Sequence, residues 1–422
     1  MDALRKVILL ILAISFMVFV TFFGRLPALR GNSRKTPIAW LYRLIWIHFP
    51  NLVSSVDQKL TSGRVTGSLV WLFNRLMYER HPTIVIFFIL IMTVSEYLYL
   101  PQIWPKISLF NKFTVLVTVV VPYVLLYLAC AADPGYITRE NHAYHMSLYP
   151  YDHTLFHPGN ECRTCKFIKP PRSKHCDICK RCIARADHHC VFINSCVGYG
   201  NHHWFLLLLL SECVLSTYGG VLGLSILKTK IKAMYPMWSL WPPKEMDFNK
   251  YFAIWGVGLH GDIRMGASTL LAVLISPLIW GLTLYTIFLI YCGTTTNESM
   301  KWTDLKEDMR DGYAFRRPLA PNRLMSKQWE PPSPRWPSSP ECIIMTTLDG
   351  QPPNIEKKFP GEGQWEHVWD LKDVENIYDL GFWHNMGDLF VSNYEPGVEA
   401  SEPLAERRPR GRSISTKLGR PQ

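Results

Sequence analysis

Apolar runs separated by polar and basic stretches organise this chain, at about 7–23, 83–100, 113–132, 204–227 and 269–292. Each is close to the ~20 residues a helix needs to cross a bilayer, so the pattern predicts five transmembrane helices. Arg5 and Lys6 give the first run the basic start of a secretory signal. No small-x-small cleavage site follows, and Gly24-Arg25 leads into more basic sequence, so the run reads as an uncleaved anchor. A further apolar segment at 38–49 is too short to span. Its aromatic residues suit an interfacial or re-entrant helix at headgroup level.

Lys/Arg asymmetry sets the expected orientation. Arg25, Arg30, Arg34 and Lys35 outweigh Arg5 and Lys6, which places the N-terminus in the lumen and the 24–82 loop in the cytosol. Counting onward, 133–203 and everything after Gly293 are cytosolic. The 228–268 loop, lumenal by the same count, starts with Lys228, Lys230 and Lys232 against the rule; parity and the thiol chemistry below decide for the lumen.

Beyond the fifth run, Thr295-Thr296-Asn297-Glu298 has the form of a capping box and predicts a polar helix to about Arg310. A proline-rich stretch, 318–340, predicts an irregular linker. A small aromatic module is expected at about 363–394, with Phe382, Trp383 and Phe390 in its core. The basic end, with Arg407, Arg408, Arg410 and Arg412, predicts a disordered tail in which Ser413 and Ser415 are candidate phosphorylation sites. No internal repeat is expected.

Composition sharpens this picture. Of 422 residues, 48% are hydrophobic, too many for an ordinary soluble domain when they are gathered in runs. The net charge of +11 suits the anionic cytoplasmic leaflet, at ~1 kcal/mol per basic residue near the surface. Nucleic acid is not expected as a partner, because a zinc module between membrane spans is badly placed to reach a duplex.

Seven of the eleven cysteines lie between Cys162 and Cys196, spaced Cys162-x2-Cys165-x9-His175-Cys176-x2-Cys179-x2-Cys182-x4-Asp187-His188-His189-Cys190-x5-Cys196. Thiolate pairs two residues apart, joined by histidines, are what tetrahedral Zn²⁺ selects, and a reducing compartment favours zinc over disulfides. Eight ligands close two sites. Seven Cys and three His therefore leave one Cys and one His over, beside a carboxylate: a nucleophile, a base and an orienting group. Spacing alone does not say which ligand goes to which ion. Cys130, Cys213 and Cys292, in or at the ends of spans, read as packing residues, with autoacylation of Cys130 or Cys292 the alternative.

The segment resembles the DHHC-type protein S-palmitoyltransferases over its whole cysteine spacing. Asp133-Pro134-Gly135, Asn201-x3-Phe205, the Thr295–Glu298 box and the stretch 376–390 are similar to that family's other landmarks, in the same order. The extra first span and long first loop resemble the fungal endoplasmic-reticulum branch that acylates SNAREs. Phe192 stands where many members carry Trp, and His202-His203 fall outside the matched positions.

The resemblance implies two structural Zn²⁺, one on Cys162, Cys165, His175 and Cys182, the other on Cys176, Cys179, His189 and Cys196. It implies Cys190 as the nucleophile that takes an acyl group from palmitoyl-CoA, His188 as its base and Asp187 as the group that orients the base. The acyl group then passes to juxtamembrane cysteines of membrane proteins. The expected fold is an all-α polytopic membrane protein of about five transmembrane helices, with a cytosolic loop-rich zinc-binding domain and a small cytosolic C-terminal module. The expected organisation is a membrane anchor (1–23), a cytosolic loop with an interfacial segment (24–82), helices 2 and 3 (83–132) and the cysteine-rich domain (133–203). Helices 4 and 5 with a lumenal loop (204–292), a C-terminal region (293–394) and the tail (395–422) complete it. A non-catalytic zinc adaptor or a membrane-anchored ubiquitin ligase explains the ligands but has no use for the spare Cys and His.

Overall fold

In a bilayer every backbone polar group must be satisfied within its own segment, so long apolar runs wind into helices. A computed structural model describes residues 16, 17, 20, 37–239, 241, 246–320, 323, 325, 327–331, 335–353 and 360–391. The expected first span lies outside these apart from three residues, and so do its basic flank and the tail with Ser413 and Ser415.

Helix α1 (Pro37–Arg43) runs through a π-helical stretch, Leu44–His48, into α2 (Phe49–Thr61), and α3 (Arg64–Tyr78) follows. The helix expected at 38–49 is thus the start of a longer one. Next come α4 (Thr83–Ile103), α5 (Leu109–Ala131) and the short α6 (His142–Leu148). Four short strands follow: β1 (Lys174–Cys176), β2 (Arg181–Ile183), β3 (His188–Cys190) and β4 (Ser195–Val197). Then α7 (His202–Met234), α8 (Phe248–His260), α9 (Ile263–Tyr291) and α10 (Thr296–Arg310) alternate with loops. The described chain closes with β5 (Ala314–Pro318), β6 (Cys342–Thr346), β7 (Glu366–His367) and α11 (Phe382–Phe390).

Four helices among the described residues are long and apolar enough to cross a membrane: Thr83–Lys106, Leu109–Ala131, His202–Met234 and Ile263–Tyr291. At 1.5 Å per residue even the shortest, 23 residues, reaches about 34 Å, more than the ~30 Å hydrocarbon core.

The chain divides into two compact units. The first holds the described residues up to Thr83 with Met92–Lys106 and Val221–Leu270. Here Ser62 and Gly63, with φ of 58° and 79°, reverse the chain between α2 and α3. In the same unit Asp247 caps α8, whose Tyr251 and Ile254 pack on Ile231 and Trp238.

The second unit holds Ile84–Ile91, Ile107–Gly220 and the described residues from Leu271 on. β1 pairs antiparallel with β2, and β3 with β4. β5 lies between β6 and β7, so the proline-rich linker joins two paired strands. Trp302, Leu305 and Met309 of α10 pack on Ile344, Val368 and Leu371 beside this sheet.

Two expectations are corrected here. Among the described residues the cysteine-rich and C-terminal parts contain seven short strands, so all-α holds only for the helical segments before and between them. The stripe Phe382, Trp383 and Phe390 is not core: Trp383 is 80% exposed and Phe390 is exposed, while Asn385 and Leu389 are the buried residues of α11. That nine-residue helix is apolar on more than one side, and its inward side is chosen by Asn385.

Candidate active site

Two donor clusters emerge from the cysteine-rich segment. Cys162, Cys165, His175 and Cys182 come together, and so do Cys176, Cys179, His189 and Cys196, each set with its ligand atoms within 4.8 Å of one another. In the first, His175 Nδ1 lies 3.5, 3.4 and 3.8 Å from the sulfurs of Cys162, Cys165 and Cys182. In the second, His189 Nδ1 lies 3.7, 3.4 and 3.6 Å from those of Cys176, Cys179 and Cys196. A tetrahedron with Zn–S bonds of ~2.3 Å has edges of ~3.8 Å, and three thiolates with one imidazole are a common structural zinc set. Both clusters fit the ion. All eleven cysteines are free of disulfides.

The two clusters are copies. Cys162-x2-Cys165-x9-His175-x6-Cys182 recurs as Cys176-x2-Cys179-x9-His189-x6-Cys196, displaced by fourteen residues. The backbone repeats with it. Cys165 N donates to Cys162 Sγ at 3.4 Å, and Cys179 N to Cys176 Sγ at 3.3 Å. Lys166 and Lys180 both have φ of 57°. His175 sits opposite Cys182 across β1–β2, as His189 does opposite Cys196 across β3–β4. No repeat was expected from the sequence because the copies overlap and share little beyond their ligands.

A third copy begins and stops. Fourteen residues after Cys176 comes Cys190, and Asn194 has a left-handed φ of 48°, but Ile193 stands where the second thiol belongs. Cys190 therefore belongs to neither cluster. It is buried among Leu126, Ala129, Ile193, Phe205 and Leu208, where α5 and α7 meet β3. Cys130 packs on the same cluster, and Phe192 meets Phe88 edge-on at 5.9 Å.

Beside it, His188 Nδ1 donates to Asp187 Oδ2 at 2.6 Å, which leaves the ring's Nε2 free of Asp187. Phe205 holds the imidazole edge-on at 5.4 Å. Burial disfavours an imidazolium, but the hydrogen bond to Asp187 and the neighbouring Cys190 side chain outweigh it and push the His188 pKa up to about 10. Asp187 is buried too. Its hydrogen bond with His188 leads the effects that overcome burial and hold the carboxyl far below the usual carboxylate range.

Asp187 is fixed from behind by the start of α10. Thr296 N donates to Oδ1 at 2.5 Å, and Thr296 Oγ1 to Oδ2 at 3.1 Å. Thr295 Oγ1 donates to Ala186 O at 3.1 Å. The expected capping box is present: Glu298 N donates to Thr295 Oγ1, and Thr295 N to Glu298 Oε2. It thus both caps a helix and touches the candidate site, aiming an N-terminal N–H at a carboxylate.

Residues that sequence reasoning missed hold this helix start in place. Arg172 grips Glu298 with two bonds of 2.7 Å, donates to Gly293 O at 3.1 Å, and lies over the rings of Tyr378 and Tyr149 at 4.5 and 5.1 Å. Arg185 binds Asp388 Oδ2 at 2.6 Å, and Tyr149 donates to the same carboxylate at 2.9 Å. Nothing in the sequence marks these long-range partners. The stretch 376–390 satisfies carbonyls freed at the end of α9, since Asn376 Nδ2 donates to Cys292 O and Asn385 Nδ2 to Ile290 O, each at 2.9 Å. Gly293 (φ +64°) is needed there, since a Cβ would sit 2.6 Å from Asp379 Cα. Asn201 braces the other end of the segment, receiving Gly198 N and donating to Cys196 O at 2.9 Å.

A cavity of about 340 Å³ opens beside α10, lined by Tyr151, Lys169, Lys174, Asn297, Lys301 and others. Its three lysines make it cationic, and Lys301 Nζ sits 3.9 Å over Phe156.

Membrane-spanning helices, two zinc-type donor clusters and a thiol outside both, next to a carboxylate-bound imidazole, are the frame of a membrane-bound acyltransferase. The chain belongs to the DHHC palmitoyltransferase family and is a multi-pass membrane protein with protein S-palmitoyltransferase activity; the family model for the DHHC palmitoyltransferases matches residues 155–303. It is 49% identical to palmitoyltransferase SWF1 of Neurospora crassa over 98% of this chain and 99% of that protein. Palmitoyltransferase swf1 of Emericella nidulans is 38% identical over 94% of this chain and 99% of its own length, and that of Schizosaccharomyces pombe 29% identical over 92% and 97%.

Proposed function

We propose that this palmitoyltransferase moves a long-chain acyl group from acyl-CoA to a thioester on Cys190, and from there to juxtamembrane cysteines of membrane proteins, SNAREs among them. The observation that carries the reading is the Asp187–His188 hydrogen bond two residues from Cys190, a thiol outside both donor clusters. Asp187 holds the His188 tautomer. His188, whose raised pKa favours the imidazolium, holds the proton given up by Cys190 while Sγ attacks the acyl-CoA carbonyl, and it passes that proton to the departing CoA thiolate. In the second half a substrate thiol gives its proton to His188 and attacks the Cys190 thioester, and Cys190 leaves as the thiol. Thioester replaces thioester in both halves, so little driving force is needed.

Cys162, Cys165, His175 and Cys182 would hold one Zn²⁺, and Cys176, Cys179, His189 and Cys196 the other. Each set fills four positions, so zinc would supply structural closure. Cys190 opens onto apolar side chains of α5 and α7, which suit an acyl chain at ~0.8 kcal/mol per buried CH₂. Lys169, Lys174 and Lys301 suit the phosphates of CoA. The membrane is that of the endoplasmic reticulum, the site faces the cytosol, and a span at 7–23 adds a fifth crossing ahead of the four described. The domains follow the boundaries given above, with a cytosolic C-terminal module.

The test is acyl-CoA labelling of the purified, zinc-replete chain. Wild type takes up a hydroxylamine-sensitive label, and Cys190→Ser takes up none while zinc stays at two per chain. Equal labelling of both proteins sinks the assignment.

A further inference from the structure

We propose that the helical hairpin formed by α2 and α3 is a docking surface for the headgroup layer of the bilayer. This goes beyond an interfacial segment at 38–49, because it assigns the role to 49–78 and to two helices. It rests on the proposed topology only for which leaflet is met.

On α2 the apolar residues Phe49, Leu52, Val53, Val56 and Leu60 recur at helical spacing, and all are exposed, Phe49 by 62% and Leu60 by 78%. On α3 Val65, Leu69, Leu72 and Phe73 form a matching stripe, with Trp71 59% exposed. No protein covers these residues among the described ones.

The turn between the helices is locked. Asp57 Oδ2 receives Thr66 N at 2.8 Å and Thr66 Oγ1 at 2.6 Å, and Asp57 Oδ1 receives Thr61 Oγ1. Those hydrogen bonds hold its carboxyl below the ordinary carboxylate value. The hairpin is thus a preformed unit with two exposed apolar stripes.

Three observations choose the bilayer as occupant. First, α3 ends at Tyr78 and the membrane-crossing helix starts at Thr83, so the hairpin's end lies within about 18 Å of a membrane entry point. Second, charge is complementary to lipid: 49–80 carries Lys59, Arg64, Arg75 and Arg80 against Asp57 and Glu79, a balance that attracts anionic headgroups and repels a second copy. Third, the Arg75 guanidinium lies 5.3 Å over the Trp71 ring, an aromatic–cation pair of the kind suited to a membrane–water interface. Helices of 13 and 15 residues, about 20 and 22 Å long, are too short to cross, so lying in the interface is what buries both stripes.

The experiment places a photoreactive benzoylphenylalanine in the full chain, reconstituted in phosphatidylcholine–phosphatidylserine vesicles. It is introduced at Val53 or Leu69 on the apolar stripes, and at Ser55 or Ser68 on the polar sides. Acyl labelling of Cys190 in each variant shows that the chain is folded and reads the proposed reaction separately. The expected result is a lipid adduct severalfold more abundant from Val53 and Leu69 than from Ser55 and Ser68. A cross-linked dimer as the main product would assign the surface to a second copy and overturn the proposal. Equal adduct yields from all four positions, or no lipid adduct, would overturn it as well.

Discussion

Copies one and two of the donor repeat have the same ligands at the same spacing, yet only the second ends in a thiol that no cluster uses. Ser173-Lys174-His175-Cys176 corresponds to Asp187-His188-His189-Cys190. In the first copy the thiol after the histidine is enlisted by the next cluster. In the second there is no next cluster, and the thiol stays free. Ser173 Oγ turns back to its own loop, donating to Pro170 O at 2.6 Å, whereas Asp187 is met by Thr296 from a distant helix. On the proposed reading one scaffold is used first for folding alone and then for folding plus a reaction, and the difference is set by two side chains and by where the repeat stops.

The largest effect that would sharpen this comparison comes from removing one ligand of each copy. A structural zinc supplies on the order of 10–16 kcal/mol to a small domain, so Cys162→Ala and His189→Ala should each lose one zinc per chain by atomic spectroscopy and melt earlier. Only His189 adjoins Cys190, so His189→Ala should lose acyl labelling entirely while Cys162→Ala keeps a measurable part. Equal labelling in the two variants would mean that both copies support the nucleophile alike.

Asp187→Asn comes next. With zinc retained, acyl transfer should fall by about 10²–10⁴, because an amide does not hold the required His188 tautomer. Single-turnover labelling measures this, and a fall under tenfold would break the idea that Asp187 is what the second copy gained.

Glu298→Ala tests the support behind it. Arg172 and Glu298 are almost wholly buried, and removing one partner of such a pair costs about 3–5 kcal/mol. A clear drop in thermal midpoint is expected, with labelling reduced through Thr296. An unchanged midpoint would show that the support lies elsewhere.

The smallest effect is a control that touches neither copy. Glu330 receives Arg323 Nη1 at 2.8 Å and meets His153 at 2.8 Å. Burial works against its charge, but the Arg323 and His153 hydrogen bonds outweigh it and lower its pKa from 4.5 to about 2. The folded-state value is depressed, so this stabilisation is complete above about 4.5 and disappears as pH falls towards about 2. Denaturant midpoints of wild type and Glu330→Gln should therefore converge across that window, and a constant gap would contradict the pair.

The four described spans were legible because hydropathy is a local property that needs no partner. The capping box was legible for the same reason: Thr295 and Glu298 meet within one turn. The strands were not. Three residues each, with ligands rather than alternating apolar positions to hold them, they leave no period to read. β5 and β6 pair across a proline-rich stretch, a contact that is not local. The stripe on α11 was misread because composition does not say which side Asn385 will turn inwards to reach Ile290.

By itself, then, the sequence determined the membrane-crossing segments, the inventory of thiols and imidazoles, and the surplus of one Cys and one His over two tetrahedral sites. Those follow from the bilayer's thickness and from zinc's coordination number, which act on spacing alone. Only the tertiary structure decided that Cys190 is the surplus thiol buried against α5 and α7, that Thr296 faces Asp187, and that Arg172 holds Glu298 beneath it. Each of these joins residues far apart in the chain, and their meeting depends on how helices, knuckles and caps pack, which no local pattern encodes.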